Sequence, residues 1–226
     1  MILLSTGFDF SKIYWSEIWT ATWDTLRMLF FSGIFTFIIG LPIGILLFMT
    51  ARGNSVWSRM LYRVISFIVN ILRSVPFVIL MISIIPLTKL IVGTSIGVLG
   101  SIPPLVLAAA PFFARLVETS LREVDRGVIE AAEAMGASKG QIVGKVLLPE
   151  SMPSLIAGIT ITIVTLVSYT AMSGLIGGGG LGDLAIRYGY QRYEMEIMVV
   201  AVILMIIIVQ LIQVLGDILV KRFSRK

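Results

Sequence analysis

Five long stretches of the chain are almost entirely apolar, and polar connectors separate them. They cover residues 29–49, 65–87, 90–114, 152–176 and 197–215. About 20 apolar residues are needed to cross the roughly 30 Å hydrocarbon core of a bilayer. Lipid offers no hydrogen-bond partners to the backbone, so each stretch is predicted to form a helix. The pattern therefore predicts an all-α integral membrane protein with five transmembrane helices.

Lysine and arginine are concentrated in alternate connectors. The connectors after the first and third spans are rich in them, as is the C-terminal tail 218–226, whereas the other connectors hold few. An excess of Lys and Arg marks cytoplasmic loops. The N-terminus is therefore predicted to lie outside and the C-terminus inside. The long connector 116–151 then faces the cytoplasm, where other proteins can reach it.

The segment 1–24 differs from the spans, because its aromatic residues alternate with polar ones. Tyr14, Trp15, Trp19 and Trp23 stand among charged and hydroxyl side chains. Aromatic rings favour the headgroup zone of a bilayer. A short interfacial helix is therefore predicted here, leading into a membrane domain over 25–217.

Composition agrees with a chain whose main solvent is lipid. Hydrophobic residues make up 57% and charged residues 14% of the 226 positions, and the mean hydropathy is +0.99, whereas soluble domains carry about 25% charged residues. The absence of cysteine and histidine excludes disulfides and removes the usual metal ligands and general base. The acidic residues lie outside the spans, and the basic ones form no stripe with aromatics. We expect no catalytic residues, no metal site and no nucleic-acid partner.

The connector 116–151 holds the most specific pattern in the chain. A short helix is predicted over 127–135, with Val128, Ile129 and Ala132 on one side and Gly136 as its terminator. A second amphipathic stretch follows. Pro149 is expected to force Leu148 out of the helical region and to separate this loop from the fourth span. The connector is thus predicted to form a helix-turn-helix along the cytoplasmic face.

The spacing of Glu-Ala-Ala, a later glycine and a Leu-Pro pair resembles the cytoplasmic loop of permease subunits in bacterial ABC importers. The residues that match the family pattern are Glu130, Ala131, Ala132, Gly136, Leu148 and Pro149. The resemblance implies that this loop is a coupling helix between the third and fourth spans, which docks on an ATP-binding subunit. Met135 and Ala137 flank the glycine and are expected to belong to the same coupling site. The alternative is an ordinary amphipathic surface loop.

Further segments are similar to the methionine importer permeases. They are residues 70–77, 91–95, 178–182 and 188–190. The likeness covers nearly the whole chain and implies a homodimeric, multi-pass permease in the bacterial cytoplasmic (inner) membrane. It also implies two copies of an ATPase subunit and an extracytoplasmic methionine-binding protein as partners, besides the lipid bilayer.

ATP hydrolysis is not expected on this chain, which is not predicted to be an enzyme. Its nearest approach to a phosphate-binding loop is Gly140–Lys145, which is followed by Val146 and has the wrong spacing. The expected cofactors, ATP and Mg, therefore belong to the partner ATPase, and none is expected on this chain.

Four residues are candidates for the translocation pathway. Arg73 is a charge within the second span, expected to pair with Glu118 or a free carbonyl, or to reach the cytoplasmic surface. Tyr169, Met172 and Ser173 form a polar and polarizable band in the fourth span. Helix packing through small residues explains this band equally well.

Three other functions compete with a methionine permease. The same transporter class could carry another small amino acid or a peptide. A stand-alone secondary transporter would instead show inverted repeats and intramembrane carboxylates, which the spans lack. A membrane enzyme would need a nucleophile, a base or a metal set, for which the chain has no candidate.

Overall fold

The computed structural model describes residues 14–53 and 55–224, and every regular element within them is helical. The elements, in chain order, are α1 Trp15–Ala51, α2 Val56–Ser74, α3 Phe77–Ser83, α4 Ile85–Val92, α5 Gly97–Arg122, α6 Arg126–Ala134, α7 Lys139–Ile142, a π-helical segment Val143–Leu147, α8 Leu148–Glu150, α9 Met152–Ser173, a 3-10 turn Gly174–Ile176, α10 Gly180–Leu184, a second π-helical segment Ala185–Tyr190 and α11 Met195–Phe223. The all-α fold class is confirmed.

Four helical stretches of the described chain are long and apolar enough to cross a membrane. They are α1, α5, α9 with the turn that follows it, and α11. The bent pair of α2 and α3 makes a fifth if it is counted as one span. The number of candidate spans is therefore four or five, against the five predicted.

The first span differs from its predicted bounds. α1 runs unbroken for 37 residues from Trp15, so the aromatic residues from Trp15 to Trp23 and the predicted span 29–49 belong to one helix. No glycine or proline occurs between Trp15 and Ser32 to end a helix. The part of the predicted interfacial helix before Tyr14 lies outside the described residues.

The predicted second span, 65–87, is interrupted at a proline. Val75 is extended, with φ −81° and ψ 127°, and ends α2 immediately before Pro76. Proline cannot donate a backbone hydrogen bond, and its ring disfavours the helical region for the residue before it. The chain therefore resumes as the separate short helix α3.

The third and fifth spans also have different ends. Gly93 and Gly97 have positive φ angles of 79° and 72°, so the chain turns within the predicted span 90–114 and α5 begins only at Gly97. α11 continues to Phe223, which places most of the predicted basic tail in a helix. Basic residues in the last turn of α11 interact favourably with the helix dipole.

The described chain divides into two compact units. The first comprises the described residues up to Phe31, Phe77–Leu105 and Val167–Gln210. In it, the hydroxyl of Thr25 accepts a hydrogen bond from the backbone N–H of Leu181 at 2.8 Å. Gly182 packs so closely that a Cβ there would lie 2.3 Å from the Cα of Ala171. This unit therefore holds α10 tightly against α9.

The second unit comprises Ser32–Pro76, Val106–Leu166 and the described residues from Leu211 onward. Its core gathers side chains from α1, α5, α6 and the segments up to the start of α9, namely Phe48, Phe113, Val117, Leu121, Val124, Ile129, Ala132, Ile142, Leu147 and Leu155. At Gly44 an added Cβ would lie 2.6 Å from the carbonyl oxygen of Ala114. Only glycine allows α1 and α5 to approach this closely.

Candidate functional site

The candidate site begins with α6, whose two ends are both capped. Asp125 accepts a hydrogen bond from the backbone N–H of Gly127 at 2.6 Å, which fixes the start of the helix. At the other end Gly136 has φ +79°. Its N–H donates to the carbonyl of Glu133 at 2.9 Å, and the N–H of Ala137 donates to that of Ala132 at 3.0 Å. This pair of bonds is the Schellman arrangement that ends a helix and reverses the chain.

A second helical arm follows directly. Ser138 and Gln141 form a capping box, in which each side chain accepts a hydrogen bond from the other residue's backbone N–H. α7, the π-helical segment Val143–Leu147 and α8 then succeed one another without a loop. The segment 125–151 is therefore two helical arms joined at Met135–Ala137, and we call it the two-arm loop.

Pro149 does not separate this arm from the next helix as the sequence suggested. Leu148 stays in the helical region, with φ −63° and ψ −45°. Its N–H donates to the carbonyl of Val143, five residues back, so the turn before the proline is a wider π turn. That wider turn accommodates a residue whose ring and missing N–H would interrupt an α-helix.

Burial divides the eight expected coupling residues into two sets. Ala132 is buried in the core of the second unit, and Ala137 and Leu148 are partly buried against that core. The other five are exposed, namely Glu130, Ala131, Met135, Gly136 and Pro149. The motif thus combines an apolar anchor with a surface that solvent or a partner can reach.

The exposed side of α6 carries an apolar stripe. Val128 was expected on one side with Ile129, but 43% of Val128 is exposed whereas Ile129 is buried, and Met135 is 81% exposed. Val128, Ala131 and Met135 stand at intervals of three and four residues, so they share one face of the helix. An uncovered stripe of this kind is suited to contact with another protein.

The candidate pathway residues of the fourth span do not converge on one place. Tyr169 stacks on Phe77 with ring centroids 4.5 Å apart. Ser173 is fully buried, and its hydroxyl donates to the carbonyl of Thr170 at 2.7 Å. Of the three candidates only Met172 lines an open, mainly apolar groove of about 560 Å³, whose walls come from α9, the turn after it, α10, the segment after α10 and α11.

Arg73 is exposed in the last turn of α2, where the helix dipole favours a cation. Its guanidinium lies 6.0 Å from the centroid of the Phe112 ring. The expectation that it pairs with Glu118 is wrong, because that carboxylate is bound by two other arginines. Within the described chain Arg73 forms no ion pair.

Sequence reasoning missed the importance of Glu118 itself. Its side chain is buried and bonds to Arg115 and Arg122. The available signal was the spacing of the three charges, since side chains three and four residues apart are neighbours on a helix.

The described residues contain no group of three or more acidic side chains that could hold a metal ion.

A polar cavity of about 310 Å³ lies in the first unit, between the start of α1 and the segment 179–188. Tyr188 is buried at its edge. A hydrogen bond with Glu17 raises the pKa of Tyr188, and burial of the phenol acts in the same direction. Asp183 pairs with Arg187 at 2.9 Å, so the charges of this cavity are partly satisfied within it.

The described residues thus combine several helices long and apolar enough to cross a membrane with an exposed two-arm loop. Residues 40–226 match the family described as the inner membrane component of binding-protein-dependent transport systems. The chain belongs to this family, which confirms the predicted resemblance and the location in the inner membrane. The match begins within α1 and runs to residue 226.

Individual relatives are similar over nearly their full length. The chain is 52% identical over 207 residues to the probable D-methionine transport system permease protein MetI of Vibrio cholerae serotype O1. The aligned residues cover 92% of this chain and 92% of that protein. It is 46% identical over 217 residues to the methionine import system permease protein MetP of Bacillus subtilis, which covers 96% of this chain and 98% of that one. These relatives are permease proteins, in agreement with a non-catalytic subunit.

The fold is similar to that of a solved transporter. A chain from the inward-facing conformations of the MetNI methionine ABC transporter superposes with a TM-score of 0.90 and 50% sequence identity. The superposition covers 94% of this chain and 98% of that one.

Proposed function

We propose that this chain is the permease subunit of an ATP-driven methionine importer, and that it forms the translocation pathway and couples it to a separate ATPase. The observation that carries the proposal is the two-arm loop, whose motif is anchored in a core on one side and exposed on the other. Its similarity to methionine permeases over more than nine-tenths of the chain supports the cargo.

The exposed side of the two-arm loop is the proposed docking surface for the ATPase. Glu130, Ala131, Met135, Gly136 and Pro149 would contact the partner directly. Ala131 has only a methyl group and Gly136 has no side chain, so a partner can approach the backbone closely at both positions. Ala132, Ala137 and Leu148 instead connect this surface to the core of the second unit. A push on the exposed side is thereby passed to packed helices, since close-packed interiors transmit displacement.

The proposed assembly has two copies of this chain, two ATPase subunits and an extracytoplasmic methionine-binding protein. ATP and Mg would bind to the ATPase, so this chain needs no cofactor of its own. The N-terminus would lie outside and the two-arm loop inside, which the basic connectors support. ATP binding would draw the two loops together and open the pathway outward, and hydrolysis would reset the inward-open state.

The four candidate residues of the translocation pathway would act in different ways in this proposal. Met172 lines a groove with its flexible, polarizable side chain free to adapt. Tyr169 could change its stacking on Phe77 as the pathway opens. Ser173 would act through packing, because its hydroxyl is already bonded. Arg73 is the exposed cation on which a carboxylate of the cargo could dock.

Uptake of radiolabelled methionine tests the proposal. Cells that lack this gene, and any other methionine uptake system, should accumulate label only when the native chain and its ATPase are both supplied. A hundredfold excess of unlabelled methionine should suppress uptake at least tenfold, whereas other amino acids and short peptides should not.

The outcomes separate the class of protein from its cargo. If the chain carries a different amino acid or a peptide with the same dependence on the ATPase, the transporter class stands and the cargo is wrong. If uptake persists without any ATPase, the chain is a secondary transporter and the proposal fails.

A further inference from the structure

Glu118, near the end of α5, is a carboxylate that is 3% exposed. Each of its oxygens accepts a hydrogen bond from a different arginine, from Arg115 at 2.5 Å and from Arg122 at 2.6 Å. Acidic side chains are almost never buried unless they are paired. Charge-assisted hydrogen bonds of this kind are stronger than neutral ones. The three side chains therefore form one fixed charged cluster on a single face of α5.

The same two arginines also hold α2. Arg115 donates to the side-chain oxygen of Asn70 at 3.0 Å and to both the hydroxyl and the carbonyl of Ser66. Arg122 lies 3.4 Å from the hydroxyl oxygen of Tyr62. The α2 positions stand four residues apart, so they form one stripe about 12 Å long at 1.5 Å per residue. Hydrogen bonds are directional, and this stripe fixes both the rotation and the register of α2 against α5.

Most apolar side chains of α2 are not packed in the interior. Within this helix only Val69 is buried. The large apolar side chains form an exposed stripe on the other side of the helix, namely Trp57, Met60, Leu61, Val64, Phe67, Ile68 and Ile71. The broad apolar stripe of α2 thus faces outward, opposite to the arrangement in a helix of a soluble protein. Ile65, Val69 and Leu72 lie on the less exposed side of the helix, and the charged cluster supplies the hydrogen bonds to α5.

A different face of α5 packs against the two-arm loop. Phe113, Val117 and Leu121 lie in the same buried core as the loop residues Ile129 and Ala132. The last turns of α5 therefore contact the two-arm loop through apolar packing, and they contact α2 through hydrogen bonds. No other described helix carries a charged cluster that joins these two parts of the second unit.

We infer that Glu118 is a positioning residue that, through Arg115 and Arg122, makes α2 follow the movement of the two-arm loop. The inference rests on the proposed coupling function and adds to it the route by which movement leaves the loop. The apolar core passes movement of the loop to α5, and the directional bonds of this cluster do not allow α2 to turn or slip on α5. Loss of the cluster should leave ATP hydrolysis intact and separate it from transport.

Glu118→Gln removes the charge and keeps the size of the side chain. One amide oxygen can still accept from a guanidinium, but the amide nitrogen then faces the other arginine, donor against donor. The matched control is Glu123→Gln, because Glu123 is an exposed carboxylate one turn away whose recorded partner is Ser154. Ser154 lies in α9, so this described hydrogen bond does not involve α2.

The measurement is the number of methionine molecules transported per ATP hydrolysed, in proteoliposomes that hold the permease with its ATPase and receive the binding protein. Glu118→Gln should keep at least half of the native ATPase rate per assembled complex, while transport per ATP falls at least tenfold. Glu123→Gln should stay within twofold of native in both. A merely structural role would lower the yield of complex and leave this ratio unchanged, which would overturn the inference.

Asn70→Leu keeps the test decisive if Glu118→Gln does not fold. It removes one acceptor on α2 and leaves both ion pairs of Glu118 in place. Transport per ATP should fall about threefold, and amide hydrogen exchange in α2 should quicken relative to α11. If Asn70→Leu leaves both methionine transport per ATP and amide hydrogen exchange in α2 at native values, the inference is contradicted. If the native complex hydrolyses ATP but moves no methionine, the proposed cargo fails, and exchange in α2 still tests the cluster.

Discussion

Ala132→Asp is expected to abolish accumulation of the folded permease, whereas Ala131→Asp, the neighbouring position of the same motif, is expected to leave accumulation within twofold of native. Ala132 is 5% exposed and packs in the core formed with Phe113, Val117 and Leu147. A buried, unpaired carboxylate costs several kcal/mol, which is comparable to a large part of the stability of a typical domain. Immunoblots of the membrane fraction and thermal unfolding of the detergent-extracted protein measure the difference.

The pair also separates folding from docking. Ala131 is exposed, so an aspartate there stays in water and should not destabilise the chain. It adds a charge to the apolar stripe, however, and should reduce recovery of the ATPase with the purified permease at least tenfold. Equal accumulation of the two variants would contradict the assignment of Ala132 to the anchor. Native recovery of the ATPase with Ala131→Asp would contradict the docking surface.

Gly136→Val should lower methionine uptake at least tenfold, and Gly136→Asn should keep at least half of it. Gly136 has φ +79°, and an added Cβ would meet no atom within 4 Å. An added Cβ is therefore not crowded, and the expected effect comes from the backbone conformation. The left-handed region costs an L-residue about 1–2 kcal/mol, and asparagine tolerates it far better than a β-branched residue. Valine should therefore break the Schellman turn and displace the second arm of the loop.

Uptake should be measured at equal permease levels in the membrane, with co-purification of the ATPase as the second readout. Both readouts should fall together in Gly136→Val, because the displaced arm carries part of the docking surface. If valine and asparagine behave alike, the left-handed turn is not what the loop requires.

The two-arm loop was predictable from the sequence because its signals are local. A glycine after nine helical residues, Ser138 with Gln141 three positions later, and an amphipathic second arm all act within a few residues. Gly136 was predicted as the end of the first arm, but the capping box of Ser138 and Gln141 was not predicted. The effect of Pro149 was predicted wrongly, because whether a proline ends a helix or lies in a π turn depends on how the preceding turn hydrogen-bonds.

The apolar pattern predicted how many stretches could cross a membrane better than it predicted where helices end. A hydropathy window does not register Pro76 or the positive φ of Gly93 and Gly97, since these residues change the backbone without changing polarity. Each break divides or shortens a helix inside a continuous apolar run. The positions of these breaks follow from backbone sterics, which the mean hydropathy of a window does not report.

The contacts of Glu118 could not be predicted from local sequence. Its arginine neighbours are close in the chain, but Ser66 and Asn70, which Arg115 binds, are 49 and 45 residues away from that arginine. Glu118 was only one of the partners expected for Arg73, beside a free carbonyl or the cytoplasmic surface. Two arginines on the same helix already occupy that carboxylate. Side chains three and four residues apart are neighbours on a helix, so Arg115 and Arg122 were the nearer ion-pair partners for Glu118.

Cross-linking of the two-arm loop to the ATPase tests the central claim most directly. The chain has no cysteine, so a single Met135→Cys variant, at a position 81% exposed, places one reactive thiol on the docking surface. Leu90→Cys is the control, because Leu90 is 84% exposed and follows a connector predicted to lie outside. With a short thiol-to-amine reagent, Met135→Cys should join to the ATPase in the purified complex and Leu90→Cys should not. A product from Leu90→Cys alone would contradict the assignment of this loop as the coupling element.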